Sequence, residues 1–232
     1  MRLSIVIPTL NEAENITHTL NRLQTQSPGI DCWVVDGGSD DQTVALAIAA
    51  GAHILQSDGG RAAQLNLGAH HAQGDTLLFL HADTQLPDQF EVEIEQVLRQ
   101  PGVVAGAFPL SIANAGWGLK LVTWGVQQRS KWLQLPYGDQ GLFLKRSAFE
   151  ATGGFPLLPI MEDFVWMRQL QQQGRIALAR SPVITSDRRW QRLGLVQTTL
   201  INQLMILGYY AGVSPQRLAQ WYRGFHRRSP KP

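Results

Sequence analysis

The chain has 232 residues, of which 44% are apolar and 16% are charged, so it can bury a sizeable core in one large or two small domains. Its one cysteine, Cys32, lies inside an apolar run, which excludes an internal disulfide framework and a cysteine-based zinc site. The first apolar run, ending at Pro8, is too short for a secretory signal and predicts a strand. These features favour a cytoplasmic protein.

The net charge of +2 is unevenly distributed along the chain. Residues 188–232 contain eight basic residues and no acidic ones, whereas residues 1–187 carry a net charge of −6. Such a basic tail fits an anionic partner, for example a membrane surface or a phosphorylated acceptor, or it simply improves solubility. No nucleic-acid partner is predicted.

Strand and helix patterns alternate over the first 100 residues. Apolar runs predict strands at 3–7, 33–35, 54–55 and 76–80. The intervening stretches predict helices at 13–25, 41–50, 61–72 and 88–100. This order predicts an α/β fold with a mostly parallel sheet and helices on both faces, in which ligands bind at the carboxyl ends of the strands.

The alternation loosens after Pro101. Further strands are predicted at 103–110, 141–145 and 176–179, and further helices around 117–132 and at 162–173. In the absence of a clear linker, we predict one domain over residues 1–192. Residues 193–232 are predicted to form a basic helical extension, packed on the domain or lying at a membrane surface. Its longest clean apolar run, 204–213, is too short to cross a bilayer.

Three acidic groups follow apolar runs: Asp36, Asp83 and the pair Glu162-Asp163. Runs of this kind are typical of buried parallel strands whose carboxyl ends carry the chemistry. Together the groups suggest a nucleotide site, a metal–diphosphate site and a general base. Each also has a structural explanation, because carboxylates stabilise turns and helix starts.

Two strand-to-helix turns have backbone suited to ligand binding. The turn at residues 8–12 opens a helix whose N–H groups can cradle a ring or a phosphate. Gly37 and Gly38 allow a ligand to approach the backbone after Asp36 closely. The alternatives are a capping box between Asn11 and Glu14 and an ordinary glycine turn.

Three further positions carry charge where a ligand could use it. Arg61 occupies the first turn of a predicted helix, which the helix dipole disfavours, so we infer that it binds a ligand anion; the alternative is a solvated arginine. Asp139, in the turn 138–141, could reach a sugar or acceptor hydroxyl, or could simply belong to the turn. Residues 188–190, Arg-Arg-Trp, would suit a diphosphate and a stacked ring, or a surface cation–π cluster.

The order and spacing of these motifs resemble the family 2 glycosyltransferases over residues 3–190. The motifs are Ile-Pro-Thr-Leu-Asn-Glu, Asp-Gly-Gly-Ser-Asp-Asp-Gln-Thr, His-Ala-Asp, Glu-Asp and Arg-Arg-Trp, starting at residues 7, 36, 81, 162 and 188. The resemblance implies a GT-A fold, a nucleotide-diphosphate sugar donor, a divalent metal (Mg²⁺ or Mn²⁺) and inversion at the anomeric carbon. A compact bacterial subgroup is also similar, and some of its members are named after an enzyme that glycosylates a carotenoid carboxylate.

The resemblance assigns roles to individual residues. Asp163 would be the catalytic base with Glu162 beside it, and Asp83 would bind the metal. Apart from these assignments, Asp139 and Gln140 of the turn 138–141 are our candidates for contact with the acceptor. The predicted donor-binding residues are Pro8, Thr9, Glu12, Asp36, Gly38, Asp41, Arg61, Asn66, Asp83, Arg189 and Trp190.

Three features depart from the family pattern, one being the absence of the Gln of the family's Gln-x-x-Arg-Trp motif, whose Arg-Trp end Arg189 and Trp190 match. Gly37 stands where the family has a second Asp after Asp36. His81 replaces the first Asp of Asp-x-Asp, which leaves one carboxylate for the metal.

The predicted reaction transfers a sugar, most simply from a UDP-sugar, to a lipid-linked or carotenoid-like acceptor at the inner membrane face. Two alternatives remain open: a nucleotidyltransferase, and a nucleotide-sugar-binding protein without turnover. A dehydrogenase is disfavoured because no Gly-x-Gly-x-x-Gly follows the first strand.

Overall fold

The computed structural model describes residues 1–113, 116–188 and 194–227. The strands are β1 Leu3–Thr9, β2 Asp31–Asp36, β3 His53–Gln56, β4 Thr76–Phe79, β5 Thr84–Gln85, β6 Val103–Ala107, β7 Leu110–Ile112, β8 Leu142–Lys145, β9 Arg175–Leu178 and β10 Val183–Thr185. The helices are α1 Ala13–Gln26, α2 Thr43–Ala49, α3 Arg61–His71, α4 Phe90–Leu98, α5 Trp117–Trp132, α6 Arg146–Ala151, α7 Glu162–Gln171, α8 Leu195–Tyr210 and α9 Pro215–Arg227.

The main sheet has seven strands within the described residues, in the order β3-β2-β1-β4-β8-β6-β9. The first four strands are mutually parallel, and β8 runs antiparallel to both of its neighbours. Thr9, the last residue of β1, pairs in register with Asp36, the last residue of β2. The predicted mostly parallel sheet is therefore confirmed, and its carboxyl edge brings the first two motifs together.

Alternate side chains of β1 enter two different cores. Ile5 and Ile7 are fully buried in a cluster with α1, whereas Val6 is fully buried in a second cluster with α3. Each large side chain buried in this way contributes about 1.5–3 kcal/mol. A Cβ added to Gly68 of α3 would lie 2.4 Å from Val6 Cγ1, so glycine allows this helix to approach the sheet closely. The prediction of helices on both faces is confirmed.

A second sheet, in the order β5-β10-β7, lies outside the main sheet. Its two- and three-residue strands are too short to show an alternating pattern in the sequence. The single strand predicted at 103–110 divides into β6 and β7 around Pro109, which has no N–H to donate to a ladder. Because β5 pairs with β10, the segment after Asp83 is held beside residues 183–185.

The C-terminal helices pack beside the start of α7. Leu218 of α9 is fully buried against Ile201 and Met205 of α8, and Ile160 and Met161 pack on the same cluster. The predicted boundary at residues 192 and 193 lies outside the described residues. Within the described part of the chain, no helix combines the length and apolarity needed to cross a membrane.

Candidate active site

The turns that follow β1 and β2 are tied together by side-chain hydrogen bonds. The N–H of Asn11 donates to Ser39 Oγ at 2.8 Å, and the N–H of Asp40 donates to Asn11 Oδ1 at 3.0 Å. Asn11 has a left-handed backbone (φ 56°), so it belongs to the turn, and the alternative capping box with Glu14 does not form. The two turns therefore form one unit.

Backbone N–H groups at the start of α1 donate hydrogen bonds to side chains of the turn that follows β2. Asp41 accepts from the N–H of Ala13 at 3.2 Å, and Thr43 Oγ1 accepts from the N–H of Glu12 at 2.8 Å. The hydroxyl of Thr43 also donates to Asp41, and this bond holds the pKa of the exposed Asp41 carboxyl below its usual value. Asp41 thus positions both helices beside the predicted donor site.

The Asp36 carboxylate is buried and accepts hydrogen bonds from its own turn and from β1. It accepts from the N–H groups of Gly38 and Ser39 at 2.9 and 2.8 Å, from Ser39 Oγ at 2.5 Å and from Thr9 Oγ1 at 3.2 Å. Pro8, one residue earlier in β1, is half-buried. Gly38 is the exposed residue next to the Asp36 carboxylate, so its backbone is accessible to a ligand. Nucleoside contacts by Pro8, Thr9 and Asp36 remain a prediction.

Gln64, which lies between the predicted site residues Arg61 and Asn66, was missed by the sequence analysis. Its buried amide Nε2 donates to the carbonyls of Thr9 and Val35, each at 2.8 Å, and so bridges the ends of β1 and β2. A Cβ at Gly37 would lie 2.9 Å from that nitrogen. Gly37, where the family has Asp, therefore leaves room for the Gln64 bridge.

Asp83 and Glu12 share one guanidinium. Arg188 Nη2 donates to Glu12 Oε2 at 2.8 Å and to Asp83 Oδ2 at 3.2 Å. Partial burial works to lower the pKa of Arg188, but its hydrogen bonds and charge contacts with Glu12 and Asp83 raise that pKa above its ordinary value. The carboxylate predicted to bind a metal is thus ion-paired within the protein.

Arg61 joins two other predicted site residues. Its guanidinium hydrogen-bonds to the ring of His81, and its Nε lies 3.4 Å from Glu162 Oε1. Burial raises the pKa of Glu162, an effect that Arg61 opposes and the neighbouring Asp163 reinforces. The anion beside Arg61 in the structure is the Glu162 carboxylate. Contact between Arg61 and a donor diphosphate remains a prediction.

Asp163 opens α7 with its carboxylate held by two backbone donors. The N–H of Gly138 donates to Oδ2 at 2.7 Å, and the N–H of Phe164 donates to Oδ1 at 2.7 Å. The first contact connects α7 to the turn 138–141, which is 25 residues earlier in the chain. The predicted base is therefore fixed in orientation beside the predicted acceptor turn.

The two residues of that turn differ in accessibility. Gln140 is fully buried: its amide oxygen accepts from Ser130 Oγ at 2.8 Å, and its nitrogen donates to the Phe108 carbonyl at 3.0 Å. Gln140 therefore positions the turn, and direct contact with an acceptor would require this network to open. Asp139 is partly exposed and lines the cavities described below.

Asn66 holds the chain that leads to α7. Its amide donates to the Phe155 carbonyl and accepts from the Phe155 N–H, both at 2.8 Å. Both polar groups of the Asn66 side chain thus bind backbone in the structure. A donor-binding role for Asn66 stays a prediction. Arg189 and Trp190 lie outside the described residues.

Two adjoining cavities meet at these residues. A cavity of about 690 Å³ lies between α5 and α8 and reaches His81, Asp83 and Asp139. A neighbouring cavity of about 420 Å³ is lined by Arg61, Glu162 and Asp163, among others, and shares His81 and Asp139 with the first. The carboxyl edge of the sheet thus opens into a space large enough for a small-molecule substrate.

The residues around Asp83 fit a divalent ion only with help from a substrate. Mg²⁺ binds through one or two carboxylates together with substrate phosphates, and Asp83 supplies one such carboxylate. Among the residues that the structure describes, no three His, Cys, Asp or Glu side chains cluster to hold an ion. Arg188 would also have to leave Asp83 Oδ2 before an ion could bind there.

Sequence comparison identifies related proteins. Residues 4–157 match the family described as Glycosyl transferase family 2. The chain is 31% identical to a 4,4'-diaponeurosporenoate glycosyltransferase from Staphylococcus haemolyticus over 108 residues, which is 42% of this chain and 29% of that protein. It is 32% identical to an undecaprenyl-phosphate 4-deoxy-4-formamido-L-arabinose transferase from Sodalis glossinidius over 117 residues, 45% of this chain and 36% of that protein. The matches thus span about a third of the relatives' lengths.

Solved structures resemble this chain in fold at low sequence identity. A mannosyltransferase from Pyrobaculum calidifontis in complex with GDP-Man and Mn²⁺ has a TM-score of 0.66 at 19% identity, covering 97% of this chain and 70% of that one. TarS from Staphylococcus aureus in complex with UDP-GlcNAc has a TM-score of 0.65 at 18% identity, covering 80% and 58%. Glucosyl-3-phosphoglycerate synthase from Mycobacterium tuberculosis, bound to Mn²⁺, UDP and phosphoglyceric acid, has a TM-score of 0.60 at 19% identity, covering 88% and 77%.

These likenesses agree with the motif order and with the sheet whose carboxyl edge carries the acidic residues. The fold is the GT-A glycosyltransferase fold. The family match covers more than half of the chain. This chain belongs to glycosyl transferase family 2.

Proposed function

We propose that the protein transfers a sugar from a nucleotide-diphosphate donor, most simply a UDP-sugar, to an acceptor bound in the cavity between α5 and α8. One observation carries this proposal. Asp83, which Arg188 links to Glu12 at the start of α1, and the fixed carboxylate of Asp163 line two adjoining cavities. Family membership favours sugar transfer over the nucleotidyl transfer that the sequence alone left open.

The donor diphosphate would lie between two cations of the chain. Arg188 is held at Asp83 and Glu12, and Arg61 is held at His81 and Glu162. Guanidinium groups bind phosphate oxygens through paired hydrogen bonds, so both can offset charge on the leaving nucleoside diphosphate. A divalent ion, Mg²⁺ or Mn²⁺, held by Asp83 would supply further charge stabilisation to the diphosphate.

Asp163 is proposed as the general base. It would take the proton of an acceptor hydroxyl, or orient an acceptor carboxylate, as the acceptor oxygen attacks the anomeric carbon. Direct attack opposite the leaving diphosphate inverts that carbon. The two backbone N–H groups that hold Asp163 would keep one oxygen aimed at the acceptor.

The acceptor is proposed to be lipid-like. The larger cavity is lined on α5 mainly by aliphatic side chains such as Leu121 and Val126, and on α8 by Ile206 and Tyr210 together with the polar residues Thr199, Asn202 and Gln203. The names of the curated relatives refer to a carotenoid acid and to undecaprenyl phosphate, which are long apolar molecules with one polar end. We propose that the reaction takes place at the cytoplasmic face of a membrane, to which the protein binds peripherally.

The first test is thermal unfolding with UDP-, GDP- and dTDP-sugars, each with and without Mn²⁺. A ligand that binds only the folded protein raises its melting temperature, so one donor should produce a rise that increases with the metal. Release of nucleoside diphosphate then measures turnover. If no donor raises the melting temperature, the proposed donor class is wrong.

Asp163→Asn tests the base. Loss of a general base lowers turnover by about a hundredfold or more, whereas asparagine keeps an oxygen for the Gly138 N–H and should preserve donor binding. Asp88→Asn, at a carboxylate whose side chain is 88% exposed, is the matched control and should keep normal turnover. Near-normal turnover of Asp163→Asn would remove Asp163 from this role.

The ion pair at Asp83 favours a second candidate, a nucleotide-sugar-binding protein without turnover. With one carboxylate at the metal position and Arg188 bound to it, donor binding could occur without activation of the leaving group. The same assays separate the two functions. A donor-dependent rise in melting temperature without hydrolysis or transfer to any lipid acceptor would favour binding alone.

A further inference from the structure

Helices α5 and α8 each expose a row of large apolar side chains. On each helix the side chains are spaced three, four or eight residues apart, which places them along one face. Their exposed fractions range from 40% to 83%. Contiguous apolar patches of this kind mark interaction surfaces. We call these residues the apolar ridge: Trp117, Leu121, Trp124 and Trp132 of α5, and Val196, Leu200, Leu204 and Leu207 of α8.

The two rows lie next to each other. A Cβ added to Gly118, near the start of α5, would lie 2.7 Å from Leu195 Cδ2 at the start of α8. Further along, Leu121 and Val126 of α5 face the same 690 Å³ cavity as Ile206 of α8. The helices therefore flank one opening.

The surroundings of the apolar ridge carry positive charge. No acidic residue occurs in residues 96–138, which include α5, or in residues 188–232, which include α8 and α9. Lys120 and Lys131 are exposed on α5, and Lys131 Nζ lies 5.9 Å from the ring of Trp132. Tryptophan favours the headgroup level of a bilayer, and lysine extends its ammonium from an apolar face toward anionic headgroups.

The rim of the cavity continues the apolar ridge. Leu121, Leu133 and Tyr210 line the cavity and are also 57%, 60% and 58% exposed. The less exposed carboxylates of Asp83 and Asp139 line the same cavity. An apolar, exposed part and a charged, less exposed part suit a molecule whose chain stays in a bilayer while its polar end enters the protein.

We propose that the apolar ridge docks onto the surface of a bilayer containing anionic lipids, with the cavity opening toward the lipid. The basic tail pointed to membrane contact from charge alone, whereas the apolar ridge adds exposed apolar side chains on α8, which is part of that tail, and on α5, which is not. The docking itself stands on exposure and charge. Delivery of the acceptor through the rim rests on the proposed function.

Flotation with vesicles tests the docking. The full-length protein is mixed with vesicles of phosphatidylcholine alone or of phosphatidylcholine and phosphatidylglycerol in equal parts. The double variant Trp124→Ser, Leu200→Ser removes one apolar side chain from each helix, and neither residue lines the cavity. We expect its binding to the mixed vesicles to fall about tenfold or more relative to the wild type.

The matched control is the double variant Ile48→Ser, Leu157→Ser. These apolar side chains are 60% and 75% exposed but lie outside the apolar ridge, so the control should bind like the wild type. Wild-type protein that does not float, or equal binding of all three proteins, would overturn the inference. So would conversion of a dimer to a monomer by the ridge variant without loss of flotation, because a second copy would then cover this face.

A charge variant tests the anionic lipid. Lys120→Glu with Lys131→Glu should lower binding to the mixed vesicles and bring it near the level of the neutral ones. Unchanged preference for the mixed vesicles would contradict the charge argument.

Donor binding separates this inference from the proposed function. The shift in melting temperature caused by a nucleotide sugar should be the same in the wild type and the ridge variant. Flotation without any donor effect would overturn the function alone, and a donor effect without flotation would overturn the docking alone.

Discussion

Arg188 forms ion pairs with both Glu12 and Asp83, the residue predicted to bind a metal. Its guanidinium neutralises two carboxylates that would otherwise repel each other. An ion that bound Asp83 Oδ2 would have to displace this internal ion pair.

Arg188→Ala should raise the affinity for Mn²⁺ in the absence of nucleotide by several-fold. Removal of the guanidinium leaves Asp83 and Glu12 as uncompensated carboxylates that attract a divalent ion. Electron paramagnetic resonance of free Mn²⁺ measures the binding directly. Arg99→Ala, which breaks an exposed ion pair with Glu95, is the control. Equal or weaker Mn²⁺ binding by Arg188→Ala would show that Arg188 does not compete with the ion.

Glu162 should make the stability of the protein depend on pH. Its pKa is raised above the ordinary 4.5 by burial, with Asp163 adding to the effect, so folding favours its protonated form. The stability that this group contributes is fully present below about pH 4.5 and is lost as the pH rises through the raised pKa. Glutamine at this position cannot ionise.

The test is the unfolding free energy of the wild type minus that of Glu162→Gln, measured in urea from about pH 4 to about pH 8. This difference should fall as the pH rises, because only the wild type pays for ionising a buried carboxyl. Glu150→Gln, at an exposed carboxylate outside the site, is the control. A difference that rises or stays flat would contradict the assigned direction.

At the scale of elements, α3 links the site to the core. Its first residue, Arg61, contacts His81 and Glu162, and Gln64 on its next turn bridges the ends of β1 and β2. Gly68 brings the same helix against Val6 and Val35. The close contact at Gly68 therefore fixes the distance between α3 and the sheet, and with it the positions of Arg61 and Gln64 at the carboxyl edge.

Gly68→Ala should destabilise the protein by about 1–3 kcal/mol. The new Cβ would lie 2.4 Å from Val6 Cγ1 and 2.9 Å from Val35 Cγ2, and both valines are fully buried and cannot move away freely. Urea unfolding measures the change. Gly224→Ala in α9, where an added Cβ meets no atom within 4 Å, is the matched control. Equal stability of the two variants would mean that α3 shifts without cost.

At the scale of the molecule, the site is a cleft between the sheet edge and the C-terminal helices. The donor motifs come from β1, β2 and β4, whereas the wall of the larger cavity comes from α5 and α8. The second sheet holds these parts together, because β5 follows Asp83 and β10 precedes Arg188. The proposed donor side is therefore built from the family motifs, and most of the proposed acceptor side from helices that carry no motif.

Much of this was readable from local patterns. Apolar runs and their alternation with helical stretches predict the parallel sheet and the helices on both faces, because strand and helix periodicity are properties of neighbouring residues. The motifs around Asp36, Asp83 and Asp163 resemble the family, and this resemblance is readable because each motif is a short run of neighbouring residues. The bounds of α1, α3 and α7 differ from the predictions only at their C-terminal ends, by one or two residues.

The rest depends on contacts between residues far apart in the chain. Arg188 meets Glu12 across 176 residues and Asp83 across 105, so no local pattern announces that the predicted metal carboxylate is already paired. Contacts between distant residues likewise bury Gln140 fully and bind the Asn66 amide to the Phe155 backbone. The motifs thus determine which chemistry the chain carries, while long-range packing decides which of those side chains face the cleft and which ones only hold it in shape.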